Sequence, residues 1–256
     1  MAETGQVDIL AVAAHRDDVE QTCGGTLLKA AERGQRTAIL DLTQGEMGTR
    51  GTVDERARES QEAARLLRVG WREALDIPDG RVENSYRNRI KVATVIRRLR
   101  PRVLIVPYWQ ARHPDHANAG LLGAEAAFLA GLKKLGETAA TADIPKGEIA
   151  ALQEHAPHRP FKIVYASLYA DVRPSFVVDI SEQFETRFES LMAYRSQYED
   201  QQQGSGLFPK KAEIRERVTA MAAFYGLLAG VRYAEPYVQK EVGLVEDLLA
   251  IPVQSL

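Results

Sequence analysis

Val7-Asp-Ile-Leu-Ala-Val-Ala-Ala-His-Arg-Asp-Asp-Val-Glu20 is the stretch that decides the fold. Its first seven residues form a short, mostly apolar run, as expected of a strand buried on both faces. A polar turn, His15 to Glu20, follows at once. A helical pattern then covers residues 25–33, with Gly34 placed to end it. Working outward, Thr37-Ala-Ile-Leu-Asp-Leu42 reads as a second strand and residues 43–51 as a glycine-rich loop. Residues 53–68 read as a charged amphipathic helix. Ala74-Leu-Asp-Ile77 is the candidate third strand, stopped by the turn chemistry of Pro78-Asp-Gly80. Residues 86–99 read as a helix that ends before Pro101, and Val103-Leu-Ile-Val106 as a fourth strand.

This alternation predicts an α/β, Rossmann-like fold with a mostly parallel sheet flanked by helices. A helix is expected over 117–135, then a surface connection over 136–160 with one helical turn near 148–153. Strands are expected at 162–169 and 175–180, and a helix from Ser181 as N-cap to about residue 198. A polar loop (201–209) and a helix (210–228) complete the pattern. The whole reads as a single domain, with a core over about 6–135 and a C-terminal α/β extension over about 161–250.

Composition narrows the function classes. Lysine and arginine total 33 against 35 acidic residues, a net charge of -2, which is no footprint for nucleic acid. Cys23 is the single cysteine, so neither an internal disulfide nor a thiolate zinc cluster is available. No apolar run approaches the ~20 residues that span a bilayer. Residues 1–6 carry Glu3 and do not resemble a secretory leader. The expectation is a cytoplasmic enzyme or binding domain.

In parallel α/β sheets ligands bind beyond the carboxyl ends of the strands. Two unusual clusters fall there: His15-Arg-Asp-Asp-Val-Glu20 after the first strand, and Arg112-His-Pro-Asp-His116 after the fourth. Taken singly, an Asp-Asp turn or a Pro-Asp helix start is ordinary cap chemistry. Together they hold three of the chain's five histidines. His15, Asp18 and His116 would give zinc two nitrogens and a carboxylate, the ligand count of a catalytic site. Asp17 is then free to act as general base toward water, and His113 to stabilise an oxyanion, oriented by Asp115. His155 and His158 read as surface residues.

At these residues the chain resembles the LmbE/PIG-L family of zinc-dependent N-deacetylases. Ala14-His-Arg-Asp-Asp-Val-Glu20 and His113-Pro-Asp-His116 match its two motifs. Gly24-Gly-Thr26, Leu42-Thr-Gln-Gly-Glu46, Gly48-Thr-Arg-Gly51 and Pro78-Asp-Gly80 fit between and around them. Val177-Val-Asp-Ile-Ser181, Ala193-Tyr-Arg-Ser-Gln197 and Tyr233-Ala-Glu235 are similar to the bacillithiol-pathway branch, which deacetylates N-acetylglucosaminyl-malate. The resemblance implies the same ligands and base, and substrate contacts from Arg56 and Arg112. Arg50 and Glu46 join them as substrate-binding candidates, with Arg16 as a further arginine for the mouth. It also implies a homo-oligomer, commonly a hexamer. Arg16 departs from the family pattern, which often has proline or alanine there. Alternatives are another N-acetyl sugar such as diacetylchitobiose, a non-haem iron oxygenase with the same ligand types, or a non-catalytic sugar-binding domain.

Overall fold

The apolar run after Gln6 becomes β1 (Ile9–Ala13), flanked by β2 (Thr37–Asp41) and β4 (Val103–Pro107). The computed structural model of the chain describes residues 5–139, 144–167, 171–199 and 210–253. The remaining strands are β3 (Trp71–Ala74), β5 (Lys162–Ala166), β6 (Phe176–Asp179) and β7 (Ala234–Val238). One sheet contains all of them in the order β3-β2-β1-β4-β5-β7-β6. Every pairing from β3 to β5 is parallel, and β7 runs antiparallel to both its neighbours. The expected α/β class is therefore the observed one. Strand order reverses between β1 and β4, and a crevice opens at the carboxyl ends of strands at such a point.

Helices cover both faces. The chain forms α1 (Asp18–Thr22), α2 (Gly24–Glu32), α3 (Val53–Leu66), α4 (Tyr86–Leu99) and α5 (Pro114–Ala130). It continues with α6 (Leu135–Ala139), α7 (Lys146–Gln153), α8 (Phe184–Met192), α9 (Arg195–Tyr198) and α10 (Lys211–Leu227). Leu10, Leu40 and Leu104 meet Ile90 and Ile96 of α4 and Leu122 of α5 in one core layer. Ile39 and Ile105 meet Val19 and Leu27 in the other. Gly120 lets α5 lie directly on the end of β4, since a Cβ there would sit 2.3 Å from the Pro107 carbonyl oxygen. The start of α3 is fixed locally by a capping box between Thr52 and Glu55, a motif whose cap contributes about 1 kcal/mol. Among the described residues no helix is long and apolar enough to cross a membrane.

Several expectations need correcting. The third strand is Trp71–Ala74 rather than 74–77, because Arg72 sits inside it, paired to Asp41 on β2. The polar turn after β1 is partly helical, since α1 begins at Asp18. Ser181 caps no helix. Its hydroxyl donates to Asp179 (2.6 Å) and accepts from the Tyr233 amide (3.1 Å), so it closes the β6 edge, while α8 starts after Gln183. The helix expected over 117–135 starts earlier, at Pro114, and ends at Ala130. The connection over 136–160 contains α7 and most of α6, and its residues 140–143 lie outside the described residues. The polar loop at 201–209 and the far end of the strand expected over 162–169 also lie outside them. His158 is half-buried, its Nε2 2.7 Å from the Pro101 carbonyl oxygen.

β7 has no counterpart in the sequence reading, since Glu235-Pro236 hides it. Glu235 is 1% exposed, and its carboxylate accepts from the Gly25 amide (2.8 Å) and from the amide (2.7 Å) and hydroxyl (2.6 Å) of Thr26. A carboxylate from β7 thus satisfies amides in the first turn of α2, where the helix dipole also favours it. Pro236 lies beyond the part of β7 that pairs with β5.

Candidate active site

The two histidine clusters meet at the crevice between β1 and β4. Asp17 joins β1 to α1 with φ 115°, a left-handed conformation that a non-glycine residue rarely adopts. This turn brings the His15 amide to Asp18 Oδ2 at 2.9 Å. Across the crevice His113 precedes α5 as its N-cap, and Pro114 occupies the first helical turn, so His116 faces back toward β1.

His15 Nδ1 lies 3.1 Å from His116 Nε2 and 3.7 Å from Asp18 Oδ2. Asp18 Oδ1 lies 3.2 Å from His116 Nε2. Donors held about 2.0–2.2 Å from one tetrahedral divalent ion are spaced roughly 3.3–3.5 Å apart, so these three side chains fit a metal. Burial opposes charge on His15, but the carboxylates of Asp79, Asp18 and Asp17 outweigh it and raise the pKa to about 9. Burial likewise opposes the charged form of Asp18, yet His116 and His15 hold its carboxyl well below the usual range. The cluster gathers the carboxylates of Asp17, Asp18, Asp79 and Asp115 around the two imidazoles, a donor set that could hold a cation.

Asp17 faces the same space. Its Oδ2 accepts from the Tyr198 hydroxyl at 2.8 Å and from Gln21 Nε2 at 3.3 Å, and Arg56 Nη2 is 3.9 Å from Oδ1. Burial and the neighbouring Asp18 push the Asp17 carboxyl up to about 6, near the pH where a group can take and return a proton. His113 Nδ1 accepts from the Asp115 amide at 3.2 Å. Burial, with His15 and His116 nearby, lowers its pKa, so it is neutral with its proton on Nε2.

Asp115 does not orient His113 through its side chain, as the sequence suggested. Its carboxylate accepts from the Gly80 amide (2.8 Å) and the Val82 amide (3.2 Å), and lies 3.3 Å from His15 Nε2. Only its backbone N–H holds His113.

The cleft over these groups encloses ≈ 670 Å³. Its lining includes Asp17, Gln21, Arg56, Arg112, His113 and Gln197. Arg56 lies against Gly45, whose φ of +73° favours glycine and where a Cβ, 2.2 Å from Nη1, would displace the guanidinium. Arg56 donates to the Gly45 carbonyl at 2.9 Å. Arg50 is off the cleft wall and donates to the Gln197 carbonyl at 2.9 Å. Glu46 is also off the wall and accepts from the Asp79 amide at 2.7 Å. Arg16 is not at the mouth. It is 7% exposed and donates to the Val53 carbonyl at 2.8 Å, tying the β1 turn to α3.

Sequence reasoning missed Asp79, Tyr198 and Gln21. Asp79 Oδ1 is 3.1 Å from His15 Nε2. The Pro78-Asp-Gly80 turn supplied a signal for it, since a carboxylate in a loop beyond β3 can reach a histidine beyond β1. Beneath the site, Arg72 joins Glu20 of α1 (2.6 Å) to Asp41 of β2 (2.9 and 3.0 Å), all three almost fully buried. The Tyr194 hydroxyl donates to Glu20 at 3.2 Å.

Comparison with known proteins agrees with this geometry. The sequence pattern of the PIG-L family, described as GlcNAc-PI de-N-acetylase, matches residues 10–127. A diacetylchitobiose deacetylase of Thermococcus kodakarensis is 32% identical over 239 residues, which cover 89% of this chain and 80% of that protein. Among solved structures, a conserved protein of Thermus thermophilus superposes with a TM-score of 0.77 at 37% identity, covering 94% of this chain and 98% of that one. An N,N'-diacetylchitobiose deacetylase from Pyrococcus horikoshii has a TM-score of 0.73 at 24% identity, covering 90% and 82%, a likeness of fold alone.

Proposed function

Because this chain belongs to the PIG-L/LmbE family of metal-dependent deacetylases, we propose that it hydrolyses the acetamide of an N-acetylglucosamine unit in a small glycoside, releasing acetate and the free amine. The observation that carries the reading is the convergence of His15 Nδ1, Asp18 Oδ1 and His116 Nε2 beside a carboxylate, Asp17, that the ligand set leaves over. Those three would hold the ion, zinc in this reading, which when bound polarises the acetyl carbonyl and acidifies water.

The chain's own groups do the rest. Asp17 accepts a proton from water as its oxygen bonds to the carbonyl carbon. Asp17 then gives that proton to the sugar nitrogen as the C–N bond breaks. Tyr198 and Gln21 hold the carboxylate in place. His113 Nε2–H donates to the carbonyl oxygen as negative charge develops there. An oxygenase has no use for a second, unligated aspartate, and a pure binding domain has no use for the set at all.

The Thermococcus relative is a diacetylchitobiose deacetylase, and this supports a chito-disaccharide as substrate. The expected ring of arginines for a dicarboxylate is sparse: Arg50 and Arg16 are committed to carbonyls, and Arg56 to Gly45 and Asp17. N-acetylglucosaminyl-malate is the second reading, favoured by Arg112 on the cleft wall. Acetate release across chitobiosyl, malyl and inositol conjugates is the test, with the chitobiosyl substrate expected to give the highest kcat/KM. A higher value for the malyl conjugate would overturn the substrate and leave the reaction standing. Absence of acetate from every conjugate would overturn the reaction. A homo-oligomer, up to a hexamer, belongs to the same proposal, supported by Leu227, Leu228, Leu244 and Leu248, all more than half exposed.

A further inference from the structure

His15 can bind a cation through Nδ1 only if its proton sits on Nε2, and the structure shows what holds it there. Two carboxylates approach Nε2. Asp115 Oδ2, at 3.3 Å, already accepts from the Gly80 amide. Asp79 Oδ1 is nearer, at 3.1 Å. The second oxygen of Asp79 has a different duty: Oδ2 accepts from the Met47 amide at 3.0 Å. In return the Asp79 amide donates to Glu46 at 2.7 Å. The turn after β3 and the glycine-rich loop after β2 are therefore clamped in both directions. Met47, Gly48 and Thr49 of that loop form part of the cleft wall.

We propose that Asp79 is a positioning residue that fixes His15 as an Nδ1 ligand and, through Met47, couples metal retention to the substrate-cleft wall. The inference rests on the reading that His15, Asp18 and His116 hold the ion. With an ion on Nδ1, the Nε2 proton is fixed and Asp79 is drawn to it, which holds Oδ2 on the Met47 amide. Without an ion the ring loses its anchor at Nδ1, and the Asp79–Met47 restraint on the loop relaxes with it.

The experiment uses zinc as the probe and two readouts other than activity. In the wild-type protein, zinc loading should slow hydrogen exchange at the Met47 amide. Asp79→Asn cannot satisfy both neighbours, since turning its oxygen to His15 sets its NH2 against the Met47 N–H. Its zinc Kd should rise roughly 10–100-fold, the usual effect of removing a carboxylate behind a ligating histidine. Metal-free Asp79→Asn loses its pair with His15 and should melt below the metal-free wild type yet stay folded at the titration temperature, so its zinc Kd reports positioning rather than unfolding. Glu46→Ala breaks one of the clamp's two hydrogen bonds but leaves both Asp79 oxygens their partners, so its zinc Kd should change far less than that of Asp79→Asn while KM rises.

A wild-type zinc Kd in Asp79→Asn overturns the proposal. So does Met47 exchange that zinc does not alter in the wild type, a measurement that requires no variant to fold. A wild type that binds no zinc would instead overturn the ligand assignment beneath it.

Discussion

Arg72→Met removes the one cation between two buried carboxylates and so tests how the site is held. Side-chain exposures are 1% for Arg72, 0% for Glu20 and 1% for Asp41. Methionine fills most of the volume, so the main loss is charge compensation rather than packing. Removing one partner of a buried ion pair costs about 3–5 kcal/mol. At about 2–4 °C per kcal/mol for a chain of this size, the melting temperature should fall by about 10 °C. Calorimetry on chelator-treated protein at pH 7 measures it.

The pH dependence separates charge from cavity. Burial already raises the Glu20 pKa above its ordinary value, and Arg72 is a main influence pulling it back down. In the variant that pull is gone, so folded Glu20 binds a proton more readily than unfolded Glu20. A group whose folded pKa is raised adds stability as pH falls through that pKa, so the deficit should narrow between pH 7 and pH 5. The neutral triple variant Glu20→Gln, Asp41→Asn, Arg72→Met should recover much of it. A loss under 2 °C, or one of equal size at both pH values, would refute the reasoning. Because Glu20 lies on α1 beside Asp18, the single variant should also hold metal less well.

Three further outcomes follow from the same structure. In metal-free protein His15 is protonated, with a pKa of about 9 against 6.5 unfolded. Its contribution to stability is thus complete below pH 6.5 and lost as pH rises through 9, and zinc binding at pH 7 should release its proton; calorimetric titration in buffers of different ionisation enthalpy measures this, and no release would contradict it. His113→Ala should keep its metal and lose kcat more than KM, because its contact strengthens as the oxyanion forms; equal effects on both would remove it from that role. Light scattering should give a mass well above 28.4 kDa, and a monomer at micromolar concentration would refute assembly.

Most of the parallel half of the sheet was legible because β1, β2, β4 and β5 are largely apolar runs. Both site loops were legible because histidine and aspartate cluster where such strands end. What hid was polar sequence made structural by distant partners. Trp71–Ala74 carries a charge in mid-strand, and only Asp41 and Glu20, remote in sequence, make that tolerable. β7 carries Glu235, whose partners are amides about 210 positions away. Side-chain type alone does not place the arginines either: Arg16 and Arg50 each serve a backbone carbonyl. Tyr198 reaches Asp17 across 181 positions, and no local pattern announces that.

The most direct test of the central claim is the paired substitution of adjacent carboxylates, with metal content and acetate release measured on the same preparations. Asp17→Asn should retain the wild-type metal content and lose roughly 10²–10⁴-fold in kcat, the range for removing a general base. Asp18→Asn should lose metal and activity together, since a neutral oxygen is a poorer ligand. Metal lost from Asp17→Asn and kept by Asp18→Asn would reverse the two roles, and full activity in both would contradict the account.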